Sequence, residues 1–262
     1  MTGSAGRMSA SRPTGDGSRP QRATVVLATY DERENVQRLL PELLGLDDQL
    51  GVVVVDDASP DGTATAVKEV AAAFPGRVQL VSRPAKLGYG SALVAGFRTA
   101  LQGDPDAVVS MDADFSHDPR AVPDLLAGLA THDVVIGSRY LGGIRILNWS
   151  LWRLLLSRVA NFYVNLLLPS KLTDRTSGYR AYRSQVLRSI DFESAVSNGY
   201  AFLVELLEMV MSGGFSIAEV RIVYEDRQLG RSKMDRRVVI EAAWRPWLLL
   251  LRRVGAFLRR RR

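Results

Sequence analysis

Asp112 and Asp114 stand two residues apart in the run Met111-Asp112-Ala113-Asp114-Phe115-Ser116, directly after the apolar stretch Ala107-Val108-Val109-Ser110. In extended backbone, residues i and i+2 project to the same side, so two carboxylates at a strand end converge on one point. Such a pair of hard oxygen donors suits a divalent cation, Mg2+ or Mn2+, which holds few protein ligands and completes its shell with substrate phosphates. An isolated Asp-x-Asp is also ordinary loop composition, so the weight falls on what surrounds it.

The elements that must position this pair read as alternating strand and helix. Short β-branched runs at Thr24–Thr29, Val52–Asp56, Val78–Ser82, Ala107–Met111 and Val134–Ser138 lack strict alternation, as strands buried on both faces of a parallel sheet do. Helical stretches lie between them near Glu32–Leu44, Asp61–Phe74, Ser91–Leu101 and Pro119–Ala130, with a turn and N-cap in Ser59-Pro60-Asp61-Gly62-Thr63. A further strand is expected at Ala218–Tyr224. The predicted fold is an open, doubly wound, mostly parallel α/β sheet with flanking helices. Ligands of such sheets bind beyond the carboxyl ends of the strands. Those ends are Ala28-Thr29-Tyr30-Asp31-Glu32, Asp56-Asp57, Arg83 to Lys86, Asp112 to Asp114 and Gly137-Ser138-Arg139, so polar groups gather on one rim.

Gly88-Tyr89-Gly90-Ser91-Ala92-Leu93 half matches a dinucleotide fingerprint, but Leu93 replaces the third small residue and the segment follows the third strand instead of the first. These glycines are expected to permit close backbone packing beside a ligand. The absence of cysteine from the sequence excludes disulfides and thiolate metal sites. Only two histidines occur, His117 and His132, and His132 falls in a predicted loop.

At 262 residues and 47% hydrophobic content, the chain suits one α/β domain, expected over residues 23–235. Residues 1–22, rich in Gly, Ser, Pro and Arg with no apolar signal-peptide core, are expected to form a disordered intracellular tail. Charge is uneven. Residues 1–150 carry 14 Lys+Arg against 18 Asp+Glu, and the remainder carry 20 against 10, so a half of −4 is joined to a half of +10. That asymmetry suggests an anionic partner for the second half. Leu151–Leu168 is apolar but interrupted by Arg153, Arg158 and two asparagines, which suits an interfacial helix better than a spanning one. In the expected basic tail, residues 236–262, Trp244, Trp247, Leu248, Leu251, Gly255 and Leu258 share one helical face, and Arg245, Arg252 and Arg259 another. Near an anionic leaflet each arginine contributes up to about 1 kcal/mol, which favours a peripheral protein on the cytoplasmic face of the membrane. A core-packing helix with a solvated basic end is the alternative for the same stripe.

The segments ATYDERENV (28–36), VVDDASPDGT (54–63), KLGYGSA (86–92), MDADFSHDP (111–119), GSRY (137–140), DRTSGYRAYR (174–183), GYAFLVE (199–205) and EDRQLGRSK (225–233) resemble, in order and over roughly residues 24–235, the motifs of the dolichyl- and polyprenyl-phosphate mannose synthases, inverting family 2 glycosyltransferases of GT-A fold. The resemblance implies transfer of mannose from GDP-mannose to a polyprenyl phosphate lipid. It places Ala28, Tyr30, Glu32, Val55 and Asp57 around the guanosine. Asp112, Ala113 and Asp114 fall at the metal and diphosphate, with Ser116 as a further metal ligand. Lys86, Arg139, Arg227, Ser232 and Lys233 fall among the groups around the substrate. Ala28 departs from the proline common at its position. Asp174, Thr176, Ser177, Arg180, Tyr200 and Glu205 match positions bordering the acceptor region, and the same residues also suit a structural hydrogen-bond network.

The chemistry so implied needs no catalytic histidine. A lipid phosphate, with a second pKa near 6 by analogy with phosphoamino acids, is already an anionic nucleophile. The protein has only to align it behind C1 of the sugar and stabilise the departing nucleotide with metal and cations. Two other readings remain open here: a relative using UDP-glucose or another sugar nucleotide on the same lipid class, and a non-catalytic basic module binding membrane or nucleic acid. The second gives no reason for carboxylates along the rim, so nucleic acid is not an expected partner, whereas a membrane-protein partner stays open.

Overall fold

A computed structural model describes residues 18–195, 197, 199–226 and 244–251. Its strands are β1 (Ala23–Thr29), β2 (Leu50–Asp56), β3 (Val78–Ser82), β4 (Ala107–Asp112), β5 (Val134–Ser138), β6 (Ile146–Leu147), β7 (Arg180–Arg183), β8 (Ile217–Arg221) and β9 (Tyr224–Glu225). Helices are α1 (Arg33–Leu44), α2 (Thr63–Ala73), α3 (Tyr89–Gln102), α4 (Val122–Gly128), α5 (Leu151–Leu167), α6 (Ser184–Ser189) and α7 (Gly199–Ser212).

Seven strands form one sheet in the order β3-β2-β1-β4-β7-β5-β8, and β6 and β9 pair separately. All neighbours in the large sheet are parallel except β7, which runs antiparallel to both β4 and β5. The order reverses at β1, which lies between β2 and β4, where a doubly wound sheet opens a crevice. Register aligns the chemistry there: Ala28 lies opposite both Val55 and Asp112, and Thr29 opposite Asp56.

Successive residues of β1 feed opposite faces. Val25 and Leu27 join α1, α2 and α4 in one core; Val26 joins Val53, Val55 and Phe97 with Phe202 of α7 in the other. The helix expected over Pro119–Ala130 is a 3-10 turn, Pro119–Ala121, followed by the shorter α4. The predicted cap of α2 works one residue early: Gly62 holds the cap position at φ 87°, and the Asp61 carboxylate accepts from the Thr63 amide at 2.9 Å and from the Arg33 amide at 2.9 Å. One aspartate thereby ties the first turns of α1 and α2 together.

Residues 18–22 depart from the expected tail. The amides of Gln21 and Arg22 donate to Asp106, each at 2.9 Å, and fasten this stretch beside the start of β4. Residues 1–17 lie outside the described residues.

Helix α5 turns Ser157 and Asn161 toward the domain, whereas Arg158 is exposed. Asn161 is buried, and the Ser157 hydroxyl meets that of Tyr140 at 2.7 Å. Leu151, Trp152, Leu155, Val159, Phe162 and Leu166 are exposed; Leu151 is 85%, Trp152 72% and Phe162 70% accessible. Residues 244–251 are helical, and Leu249 packs against Val164, Leu167 and Leu168. Trp244, Trp247, Leu248 and Leu251 remain exposed, so this part of the stripe read from the sequence is not consumed by the core; Gly255 and Leu258 lie outside the described residues. Among the described residues no helix is long and apolar enough to cross a membrane.

Candidate active site

At the end of β4 the two aspartates sit in different surroundings. The Asp112 side chain is 30% exposed, and its Oδ1 accepts from the Tyr89 hydroxyl at 3.2 Å. Asp114 is buried, and its Oδ1 accepts from the Ser116 amide at 3.1 Å and the Ser116 hydroxyl at 2.6 Å. Phe115, at φ 61°, turns the chain between them. Ser116 therefore braces Asp114 directly. The Ala113 side chain is buried in the core, which leaves its backbone to face a ligand.

His117 is buried beneath this loop. It stacks on Tyr179 with ring centres 4.8 Å apart and meets Tyr224 edge-on at 5.5 Å. Its Nδ1 accepts from the Asp112 amide at 3.0 Å, so that nitrogen carries no proton. Burial pushes its pKa down against the opposing pull of Asp112 and Asp114. This histidine is a neutral support and is not placed to act as a general base.

Arg139, at the end of β5, is also buried. Its Nε donates to Asp174 Oδ2 at 2.6 Å, and its Nη2 to Asp174 Oδ1 at 2.7 Å and to the Thr176 hydroxyl at 2.7 Å. Tyr140, Trp149 and Tyr224 surround the guanidinium, all within 5.7 Å of its carbon. Burial alone would lower the Arg139 pKa; Asp174 more than offsets that and raises it. Arg139 is thus half of a closed ion pair, not a lone cation. Glu219 of β8 in turn accepts from the Thr173 and Asp174 amides, both at 2.8 Å, and fixes the turn that carries Asp174.

Along the other half of the rim, Lys86 lies over the Tyr30 ring at 4.2 Å. Glu32 is buried and accepts from Asn35 Nδ2 at 2.6 Å. Asp57 accepts from the Arg83 side chain and, through Oδ2, from the Leu87 amide at 3.1 Å. Its carboxylate thereby orders the loop that delivers Lys86. Ala28 is half-buried at the crevice, whereas the Val55 side chain is fully buried, so Val55 offers a ligand backbone alone.

Of the acceptor-side residues, Arg180 is fully buried and donates to the carbonyls of Ser177, Leu203 and Arg175 at 2.8, 2.8 and 2.7 Å. It is a structural clamp. Glu205 is buried and accepts from the Ser197 amide at 3.1 Å. Arg227, Ser232 and Lys233, and the side chain of Tyr200, lie outside the described residues. Sequence reasoning passed over Tyr89, Trp149, Tyr224 and Glu219 as site residues; only Tyr89, between two glycines at the start of α3, carried a local signal.

A divalent cation fits this donor set. Among the described residues no group of three or more His, Cys, Asp or Glu gathers into a closed cage. Asp112 and Asp114 offer oxygen ligands alone, as for a cation that takes the rest of its shell from a diphosphate.

Residues 24–191 match the family described as Glycosyl transferase family 2. The chain belongs to glycosyl transferase family 2. It is 42% identical over 226 residues, 86% of this chain and 85% of the relative, to polyprenol monophosphomannose synthase of Mycolicibacterium smegmatis. It is 41% identical, over 84% of this chain and 90% of the relative, to undecaprenyl-phosphate mannosyltransferase of Micrococcus luteus. Among solved structures, glucosyl-3-phosphoglycerate synthase from Mycobacterium tuberculosis, in complex with Mn2+, UDP-glucose and phosphoglyceric acid, superposes with a TM-score of 0.63 at 22% identity, covering 86% of this chain and 80% of that one. That likeness concerns the fold, which is GT-A. In this family 2 glycosyltransferase the acidic strand end and the Arg139 cluster therefore stand on the rim of a glycosyltransferase sheet.

Proposed function

We propose that the protein transfers mannose from GDP-mannose to a polyprenyl phosphate, with inversion, giving the β-linked lipid mannose and GDP. The observation that carries this reading is the pair of relatives, alike over most of both chains, whose names share mannose and a polyprenyl phosphate. The geometry agrees with it. His117 is spent on the Asp112 amide, as suits a nucleophile that is already a phosphate anion and needs no base.

Asp112 and Asp114 would hold the cation, Mg2+ or Mn2+, with Ser116 fixing Asp114. When bound, it would offset charge on the departing diphosphate. Tyr30, Glu32, Asp57 and Lys86, with the backbones of Ala28, Val55 and Ala113, line the nucleoside side. Arg139, oriented by Asp174 and Thr176, faces the phosphates, and Arg227, Ser232 and Lys233 would complete the anion-binding loop. Direct displacement at C1 inverts the donor's α linkage.

The exposed apolar residues of α5 and residues 244–251 suit a lipid surface, and the arginines between Arg252 and Arg262 suit the anionic cytoplasmic leaflet. The enzyme would lie on that face as a peripheral protein. The test is to incubate purified protein with GDP-mannose, UDP-glucose or GDP-glucose and a polyprenyl phosphate, then determine product mass and anomeric configuration. A β-mannosyl lipid from GDP-mannose is expected. Equal turnover of UDP-glucose overturns the donor, and an α-linked product overturns inversion.

A further inference from the structure

Three segments without obvious chemistry meet at Asp112. Tyr89 opens α3, and its hydroxyl donates to Asp112 Oδ1 at 3.2 Å. Gly178 approaches the same point from the turn before β7. A Cβ added there would stand 2.6 Å from the Tyr89 hydroxyl and 3.7 Å from Asp112 Oδ1. The first distance is a collision. Gly178 is absent from the positive-φ glycines, so its backbone tolerates other residues and the demand at this position is for space.

Neither backbone has room to withdraw. The Gly178 carbonyl accepts from the Ser110 hydroxyl of β4 at 2.8 Å, which holds the turn against the strand that carries Asp112. Behind Tyr89, a Cβ on Gly90 would meet the Ser197 carbonyl at 2.8 Å and the Phe202 side chain at 2.9 Å, so the first turn of α3 is seated on α7. The Asp112 amide donates to His117, and Tyr179 stacks on that ring. Residues 178 and 179 thus serve Asp112 twice, one by leaving space for a hydroxyl and the other by supporting a ring.

We infer that Tyr89 is a positioning residue that sets the orientation of the Asp112 carboxylate for cation and diphosphate binding, and that Gly178 is required because it leaves room for the Tyr89 hydroxyl. This rests on the assignment of Asp112 to the cation under the proposed function. A partly exposed aspartate at a strand end samples several rotamers, whereas a cation with only two protein carboxylates binds best when each is already aimed. The bond from Tyr89 selects one rotamer before the ligand arrives.

The experiment compares the wild type, Tyr89→Phe, Gly178→Ala and the double variant. Mn2+ affinity is read from the electron paramagnetic resonance signal of free Mn2+ in the presence of GDP, alongside melting temperature. Tyr89→Phe is expected to weaken Mn2+ binding about tenfold, the scale of one hydrogen bond to a charged group, with an unchanged melting temperature. Gly178→Ala is expected to weaken it further, because the methyl group displaces the whole ring. Adding Tyr89→Phe to Gly178→Ala should then restore binding to the level of Tyr89→Phe alone, since it removes the atom that the methyl strikes. Wild-type affinity in Tyr89→Phe overturns the inference, and so does a double variant that binds no more tightly than Gly178→Ala. If Gly178→Ala does not fold, Tyr89→Phe alone decides. Wild-type binding of Mn2+ with UDP but not GDP sinks the donor assignment, and the same comparison then runs with UDP. Binding with neither nucleotide overturns both readings.

Discussion

Replacing Asp174 with asparagine keeps the shape of the side chain and removes its charge, and the Arg139 environment fixes the consequence. The Asp174 carboxylate is fully buried and meets Arg139 through both oxygens, at 2.6 and 2.7 Å. Burial pushes its pKa up, but Arg139 and the hydrogen bonds it receives hold it below the usual carboxylate range. In the variant an amide N–H faces a guanidinium N–H, and the Arg139 charge stays buried without its counterion. Breaking a buried pair in this way costs about 3–5 kcal/mol, against a total stability of about 5–15 kcal/mol. At about 2–4 °C per kcal/mol for a domain of this size, the melting temperature should fall by about 6–20 °C. Scanning calorimetry at neutral pH measures it. A companion variant, Arg139→Met with Asp174→Leu, removes both charges and should regain most of the lost stability while lacking transfer, because the guanidinium is gone. A melting temperature for Asp174→Asn within about 2 °C of wild type, well inside the smallest shift expected, would refute the buried-pair argument. Full turnover in the apolar double variant would refute the role of Arg139.

Asp114→Ala should abolish transfer and also cost about 1–3 kcal/mol, because the buried carboxylate accepts two bonds from Ser116 that are then orphaned; activity assays and urea unfolding check both, and unchanged stability contradicts the second. His117, buried with a lowered pKa, stays neutral in the fold while the unfolded chain takes up a proton at about pH 6.5. Stability should therefore decline as pH falls below about 6.5, by up to about 1.4 kcal/mol per pH unit, until the folded pKa is passed. His117→Gln should remove that slope in urea titrations, and an identical slope in the variant contradicts the assignment. Trp152→Glu with Phe162→Glu, both on the exposed side of α5, should reduce sedimentation with anionic vesicles and leave the melting temperature unchanged; undiminished sedimentation removes α5 from the membrane contact.

Much of the frame was legible because buried parallel strands write themselves as β-branched runs. β3 and β5 begin and end where expected, and β1, β2 and β4 differ only at their ends. The rim was legible too, since residues at the ends of β1, β2 and β4 are brought side by side by register alone. β7 was not. Its sequence, RAYR, reads as surface, and Arg180 is buried only because three carbonyls satisfy it, those of Arg175 and Ser177 in the preceding turn and that of Leu203 in α7. The same limit hid the state of Arg139: its partner is 35 residues away, and nothing local says that the charge is already matched. The burial of Asp114 depends on how the loop folds back over Ser116, which an Asp-x-Asp spacing does not specify. The apolar face of α5 was legible, and the structure adds that Asn161 and Ser157 mark the side turned inward.

The antiparallel β7 also governs the order in which the molecule can be built. Residues 23–112 supply β3-β2-β1-β4, and residues 134–138 and 217–221 supply β5 and β8, yet among the described strands these two portions share no direct pairing and join only through β7, residues 180–183. A chain emerging from the ribosome would complete its first four strands early and then hold the β4 edge unpaired until β7 arrives. A bare edge of this kind is open to mispairing, and contacts spanning such sequence distances, 68 residues between Ser110 and Gly178, close slowly. The strand that closes the sheet is also the one that draws Asp174, Gly178 and Tyr179 into place. Completion of the fold and assembly of the catalytic rim are then a single event, so a partly synthesised chain would carry the nucleotide-side strands without a working centre.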